Sequence, residues 1–137
     1  MYENYFPDIN YGESNKHMYT ELINNSWSPF FEHSIWEIFI FCMSYAYAKK
    51  LNPKDPDGKG TLNSKVFKPN TRYIMYALAI DHYDDIEVIK NSNKVVKICE
   101  EYANVGIKKI YQIFKNKPSE VPIEKIFQDM ISEINEE

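Results

Sequence analysis

The 137-residue sequence is poor in the residue types on which catalytic, metal-binding and disulfide motifs depend. It contains two cysteines, four glycines, three histidines and a single arginine. Cys42 and Cys99 fall in apolar stretches, and neither has a cysteine or histidine at ligand spacing, so we expect buried, reduced thiols in an intracellular, cytoplasmic protein. There is no nucleophile elbow, P-loop or dinucleotide-binding fingerprint. From these absences we expect that the protein is not an enzyme and binds no cofactor.

Long apolar runs are also missing. The most apolar stretch, residues 35–48, would form a helix of about 21 Å, which is shorter than the roughly 30 Å hydrocarbon core of a bilayer. Ser34 followed by Glu37 forms a capping box before it, and a helix that is apolar nearly all round is typical of a core. The first twelve residues lack the basic and apolar regions of a signal peptide. We therefore predict a buried central helix and no membrane span.

Hydrophobic periodicity elsewhere predicts further helices separated by polar turns. The fold class we expect is mainly α: a single compact domain of five or six helices around the buried central helix, with a long basic loop. Residues 1–14 are predicted to form an irregular N-terminal arm, its aromatic residues laid on the body, and residues 15–137 the helical domain, in which 49–69 is the loop. Predicted helices span 15–24, 35–48, 70–82, 84–90, 91–114 and 121–135.

Apolar residues that recur every three or four positions predict the buried face of each helix. In the longest helix the recurrence continues through Gly106, which favours one continuous helix with close backbone packing there over a break. The stripe of the last helix could cover its own core or a partner chain, so a homodimer through this helix stays open. The predicted inward positions are Met18, Leu22 and Ile23; Ile74, Ala77, Leu78 and Asp81; Val95, Cys99, Tyr102, Gly106, Ile110 and Ile113; and Ile123, Ile126, Phe127, Met130, Ile131 and Ile134.

Charge is distributed unevenly along the chain. The net charge is −4, which argues against non-specific nucleic-acid binding by the whole surface. Residues 49–72 nevertheless carry seven basic and two acidic side chains, a net of +5, so the remainder carries −9. Lysines contact phosphate without a fixed motif, although a solvated loop would look the same. The candidate nucleic-acid-binding residues are Lys49, Lys50, Lys54, Lys59, Lys65, Lys68 and Arg72.

The stretch DPDGKG, residues 55–60, has the acidic and glycine-rich look of a calcium loop. An EF-hand needs oxygen ligands at loop positions 1, 3, 5 and 12 and glycine at position 6. With Gly58 at position 6, position 1 is Pro53; with Gly60 there, position 5 is Lys59. Both registers fail, so we interpret the stretch as a tight turn and expect no metal.

Two other acidic patterns in the sequence resemble parts of catalytic sites. The cluster Asp81, His82, Asp84 and Asp85 lies at a helix end, where its side chains diverge, so capping is the better reading. A restriction-nuclease core needs a Glu-x-Lys pair on one strand face, but Glu87 and Lys90 are three apart in a predicted helix. A small metal-dependent nuclease is therefore a disfavoured alternative.

Three stretches of the sequence together resemble a known family. They are IWEIFIFCMSYAYAKK with the loop after it, RYIMYALAIDHYDDIEVI, and VVKICEEYANVGIKKIYQIF. Their order is similar to that in small proteins associated with Dnd-type DNA phosphorothioation systems, in which sulfur replaces a phosphate oxygen of DNA. The resemblance covers roughly residues 22–115. Its most specific part is EEYANVGI, and the motif residues are Glu101, Tyr102, Ala103, Asn104 and Gly106.

The resemblance implies a helical accessory role in genome defence and supplies no catalytic residues. Combined with the charge pattern, it predicts a non-enzymatic accessory protein of a DNA modification and restriction system. Such a protein would act through protein partners, with the 49–72 segment near DNA phosphates or an acidic partner. A helical adaptor or homodimer without nucleic-acid contact is the alternative.

Overall fold

In the computed structural model, which describes residues 6–135, the chain forms a mainly α fold, as predicted. Its five α-helices are α1 (Lys16–Asn24), α2 (Ile35–Ala48), α3 (Pro69–Tyr83), α4 (Ser92–Lys115) and α5 (Ile123–Asn135). Short 3-10 helices span Glu13–Asn15, Ser64–Val66 and Ile86–Lys90. Two short strands, β1 (Ile9–Asn10) and β2 (Thr61–Leu62), pair antiparallel.

Helix α2 lies at the centre, with the bounds that the sequence predicts. Its capping box is present: Glu37 Oε1 accepts a hydrogen bond from the Ser34 backbone N–H over 3.0 Å. This contact satisfies a backbone donor that the helix itself leaves without an acceptor. The buried side chains of α2 are Ile38, Phe39, Cys42, Met43, Tyr45 and Ala46.

Helix α4 packs more extensively on α2 than on any other element. The closest approach is at Gly106, where an added Cβ would lie 2.1 Å from the backbone oxygen of Cys42. Only glycine permits that separation, so the predicted continuous helix with close backbone packing is confirmed. Asn91 begins the helix by accepting a hydrogen bond from the Lys94 N–H over 3.2 Å.

The predicted face of α3 is largely wrong. Ile74, Ala77 and Asp81 are exposed, whereas Leu78 is buried together with Met75 and Ala79. The sequence RYIMYALAI is apolar on several sides, so periodicity alone could not choose among them.

The predicted burial of α5 is also too extensive. Of its six apolar stripe residues, Met130 is buried, Ile131 is 59% exposed, and the others are half-buried. The stripe does face α2, because Phe127 packs against Phe41 with ring centroids 5.9 Å apart. Helix α5 therefore covers the core only partly.

The segment before α1 lies on the helices. Phe6, Ile9 and Tyr11 are buried, and Ile9 pairs with Leu62 across the two-stranded sheet. This pairing joins residues more than fifty positions apart, which local patterns do not reveal. The remaining arm aromatics, Tyr2 and Tyr5, lie outside the described residues.

Both cysteines, Cys42 and Cys99, are buried as predicted, and burial raises the pKa of each thiol. Of the helices between residues 6 and 135, none combines the length and apolar character needed to cross a bilayer.

Candidate nucleic-acid interface

Two of the seven candidate basic side chains have structural contacts within the chain. Lys49 Nζ lies 3.0 Å from Glu133 Oε2, which ties the end of α2 to α5. Arg72 donates to the backbone oxygen of Ser64 over 3.0 Å, and its guanidinium lies 4.7 Å from the centroid of the Phe6 ring. Both contacts hold segments of the fold together.

The other five candidates are exposed. They lie along the connection from the end of α2 to the start of α3, and two of them, Lys54 and Lys59, flank or lie within the turn at residues 55–60. Exposure leaves their ammonium groups within reach of an external anion. These exposed residues, which we call the loop lysines, are Lys50, Lys54, Lys59, Lys65 and Lys68.

The long loop is attached to α4 through the buried side chain of Asn104. Its amide nitrogen donates to the backbone oxygens of Lys54 at 3.0 Å and Asp55 at 3.3 Å. Its oxygen accepts from Asn15 Nδ2 at 2.8 Å and from Lys108 Nζ at 3.3 Å. Both donors and the acceptor of this amide are thus used, and one side chain joins the loop to α4 and to the segment before α1.

A second set of contacts fixes the loop against the segment before α1. The Asn10 side chain donates to the Gly58 oxygen over 3.1 Å and accepts from the Gly60 N–H over 2.9 Å. The Tyr11 N–H donates to the Gly60 oxygen over 2.8 Å. An added Cβ at Gly60 would lie 2.5 Å from the Tyr11 ring, so any larger residue would displace that ring. The connection is therefore held along much of its length.

The DPDGKG stretch forms a turn in which one of the two aspartates, Asp55, is paired with a lysine. Asp55 Oδ1 lies 2.8 Å from Lys97 Nζ, which also lies 3.3 Å from Glu101 Oε2. The hydrogen bond from Lys97 lowers the pKa of Asp55. Gly58 takes a left-handed φ of 73°, the conformation for which glycine suits a tight turn. Between residues 6 and 135, no group of three or more potential metal-ligating side chains converges.

A carboxyl group lies beneath the junction of the loop and β1. Glu100 is half-buried, and its Oε2 accepts a hydrogen bond from the Asn10 N–H over 2.7 Å. Desolvation raises its pKa to about 7, even though that hydrogen bond and Lys97 act in the opposite direction. The group therefore titrates near neutral pH, next to the contacts that hold the loop.

In the motif that carries the family resemblance, Glu101 and Asn104 hold this loop, while Tyr102 and Gly106 pack α4 against the rest of the fold. The Glu101 backbone oxygen accepts from the Lys54 N–H over 3.3 Å. Tyr102 packs edge-on against Tyr47, and its hydroxyl lies 2.9 Å from His82 Nδ1. Together with the contacts of Asn104 and Gly106, these interactions explain why the motif combines polar and small residues, a role that the sequence did not predict.

Lys108 is a site residue that sequence reasoning missed. Its ammonium contacts Asn104, which is bonded to the backbone of Lys54, so Lys108 lies next to the loop. A lysine on the polar side of an amphipathic helix looks the same whether or not a loop lies beside it. The sequence does place Lys108 one helical turn after Asn104, which indicates that the two side chains lie on the same side of α4.

The acidic cluster after α3 consists of helix-end residues. The Asp85 carboxylate accepts from the Glu87 N–H over 3.0 Å, and Asp84 takes a left-handed φ of 52°. Glu87 forms an ion pair with Lys90 on the short 3-10 helix. The neighbouring His82 is bonded to a tyrosine hydroxyl. These contacts are those of a helix end.

Comparison with known proteins supplies the biological context. Searches of curated proteins and of solved structures found no match. A family model described as DNA sulphur modification system-associated protein 4 matches residues 9–137, which include the loop, the motif on α4 and helices α1 to α5. The chain belongs to this family, and is thereby an accessory protein of Dnd-type DNA sulfur modification systems.

Proposed function

We propose that the protein is a non-enzymatic accessory factor that contacts the DNA backbone through the loop lysines while it engages protein partners of the modification system. The observation that carries this proposal is the attachment of the loop by Asn104 and Asn10. A basic loop that is already held in place loses less conformational entropy when it binds a ligand than a flexible one does.

The chemistry of the surface favours contact with phosphate over reading of bases. Its exposed cations are all lysines, which act as point charges, whereas the bidentate base contacts typical of sequence recognition use arginine. The single arginine, Arg72, is engaged by Ser64 and Phe6. Binding should therefore depend on salt and little on base sequence.

The neutralisation of Asp55 contributes to the proposal. Its carboxylate lies within the lysine-bearing turn and would repel a phosphate, but Lys97 holds it in an ion pair. Lys108 adds a cation beside Lys54. With its five lysines and two aspartates, the segment 50–68 carries a net charge of +3 even though the whole protein is acidic.

Charge reversal tests this proposal. In fluorescence anisotropy with labelled duplex DNA at low salt, Lys54→Glu combined with Lys59→Glu should weaken binding at least about tenfold. A control with the same change in net charge, Lys109→Glu combined with Lys125→Glu, should weaken it much less. Equal losses in the two variants, or no binding by the wild type, would rule out the loop as a DNA contact.

A homodimer through α5 stays the alternative to this proposal. The exposed Ile131 favours contact with some partner, but not specifically with a second copy. Sedimentation equilibrium over a range of concentrations tests it, and a strict monomer would exclude it.

A further inference from the structure

An apolar groove runs along α2 between α3 and α5. On the α5 side, Ile131 and Ile134 help to line a concavity of about 280 Å³. On the α3 side, Ile74 and Ala77 help to line another of about 260 Å³. Ser44 lines both concavities, so they adjoin along α2, and we call the two together the α2 groove.

The α2 groove is lined by apolar side chains of the kind that are usually buried, yet it is open to solvent. Its walls include Ile131 and Ile74, which are 59% and 47% exposed. Its floor includes Ser44 and Ala48, two small residues one helical turn apart, which allow another helix to approach closely. A helix that is apolar nearly all round requires cover on every side, and between residues 6 and 135 this side of α2 is only partly covered.

The margins of the α2 groove are acidic. Glu37 lies on α2 at the start of the floor, Asp81 lines the α3 side, and Glu124 precedes Ile131 by two turns on the same side of α5. All three carboxylates are exposed. Lys50 lies at the far end, where it and Asp81 line the next depression. Charge at the margins is thus mainly negative, the opposite of the loop lysines.

We propose that the α2 groove binds an amphipathic helix of a partner protein. The matching helix has apolar residues at positions i, i+3 or i+4 and i+7, and lysines or arginines on its flanks. Helices bind in this way when a hydrophobic groove takes their apolar face and rim charges set their orientation. Of the loop lysines only Lys50 lies at the groove, so a partner helix in the groove leaves the other four free to contact DNA.

A second copy of the chain matches the α2 groove poorly. Two grooves brought together would place two margins that are both mainly negative, each with Glu37, Asp81 and Glu124, against each other, and like charges at an interface are unfavourable. Among the helices of the described chain, α4 has the most exposed lysines, but its apolar stripe is buried against α2. The occupant is therefore assigned to another protein.

A pair of labelled model peptides tests the proposal. Each is a helix of about 14 residues, which spans the floor of the groove at roughly 1.5 Å per residue. Both carry leucines at i, i+3, i+4 and i+7; one has lysines on its flanks and the other has glutamates. In fluorescence anisotropy with the full-length protein, the lysine peptide should bind at least about tenfold more tightly than the glutamate peptide. Absence of binding, or equal binding of the two, would overturn the proposal.

Matched substitutions locate the binding surface. Ile131→Asp places a charge in the groove and should weaken binding of the lysine peptide at least about tenfold. Ile86→Asp is the control, because Ile86 is 65% exposed on the 3-10 helix outside the groove. Equal losses in the two variants would overturn the assignment of the site. Circular dichroism confirms that both variants remain folded.

Sedimentation equilibrium distinguishes the partner helix from a second copy. The wild-type protein should remain monomeric at concentrations at which the lysine peptide saturates it. A dimer that Ile131→Asp dissociates and Ile86→Asp does not would show that the groove is occupied by a second copy, and would overturn the proposal.

Discussion

The side-chain amide of Asn104 donates to the backbone oxygen of Lys54 over 3.0 Å, so a buried residue of α4 holds the basic loop. The same amide accepts from Asn15, which lies next to α1. Three segments that are distant in sequence thus meet at one side chain. This contact fixes the part of the loop that carries Lys54.

Asn104→Ala should destabilise the protein by about 3 kcal/mol, because it removes the donor to two loop carbonyls and one of the two acceptors of the buried Asn15 amide. The measurement is urea unfolding combined with hydrogen exchange, in which the Lys54 amide should exchange faster than in the wild type. Gln112→Ala, at an exposed position of the same helix, should change stability by less than about 0.5 kcal/mol. Unchanged exchange at Lys54 would contradict the anchoring role.

Gly106→Ala should destabilise by about 3 kcal/mol or more, because the new methyl would lie 2.1 Å from the Cys42 oxygen, and backbone cannot move aside as a side chain does. The higher helix propensity of alanine recovers only about 1 kcal/mol. Urea unfolding of this variant, with the exposed substitution Ser132→Ala as control, measures the difference. A neutral effect would show that α2 and α4 can separate at little cost.

Arg72 and Lys68 should respond differently to truncation. Arg72→Ala should cost about 1–2 kcal/mol of stability, because it removes the contacts with Ser64 and Phe6. Lys68→Ala should leave stability within about 0.5 kcal/mol and weaken DNA binding. Thermal unfolding and anisotropy on both variants separate the two roles. The reverse pattern would contradict the division into structural and exposed cations.

Glu100 should make stability depend on pH. Its folded pKa of about 7 lies above the ordinary value of 4.5, so the folded state binds the proton more tightly than the unfolded state does. The stabilisation is fully present below pH 4.5 and is lost as the pH rises through 7. Glu100→Gln should remove this slope and raise stability most at pH 8. Urea unfolding from pH 5 to 8 measures it, with Glu124→Gln as the exposed control; an unchanged slope in Glu100→Gln would contradict the prediction.

The sequence predicts the helices well because caps and hydrophobic spacing involve residues that are close together in the chain. The capping box at Ser34 and the stripe through Gly106 indicated α2 and α4, since caps and close backbone approaches depend on residue types at fixed spacings. Which side of α3 is buried depends on what packs there, so Ile74 was assigned inward although it is exposed. For the same reason the sequence predicts Ile131 to be buried, although it is 59% exposed.

The candidate site was predictable only in its charge. The sequence indicated the basic segment but could not separate Lys49 and Arg72, which contact Glu133 and Ser64, from the exposed lysines. It also could not place Lys108 beside the loop, because that neighbour depends on a contact between residues about fifty positions apart. Long-range pairing is set by the packed fold and leaves no periodic trace.

The salt dependence of DNA binding tests the central claim most directly. Each phosphate contact contributes about −0.9 to the slope of log affinity against log salt concentration. If all five loop lysines contact phosphates, the slope is about −4.5, and fewer contacts give a shallower slope. Reversal of Lys54 and Lys59 should reduce its magnitude by about 1.8, whereas reversal of Lys109 and Lys125 should not. Duplexes with and without a phosphorothioate, measured in parallel, show whether sulfur changes the affinity. A slope that the loop reversal leaves unchanged, or no binding at low salt, would contradict the account.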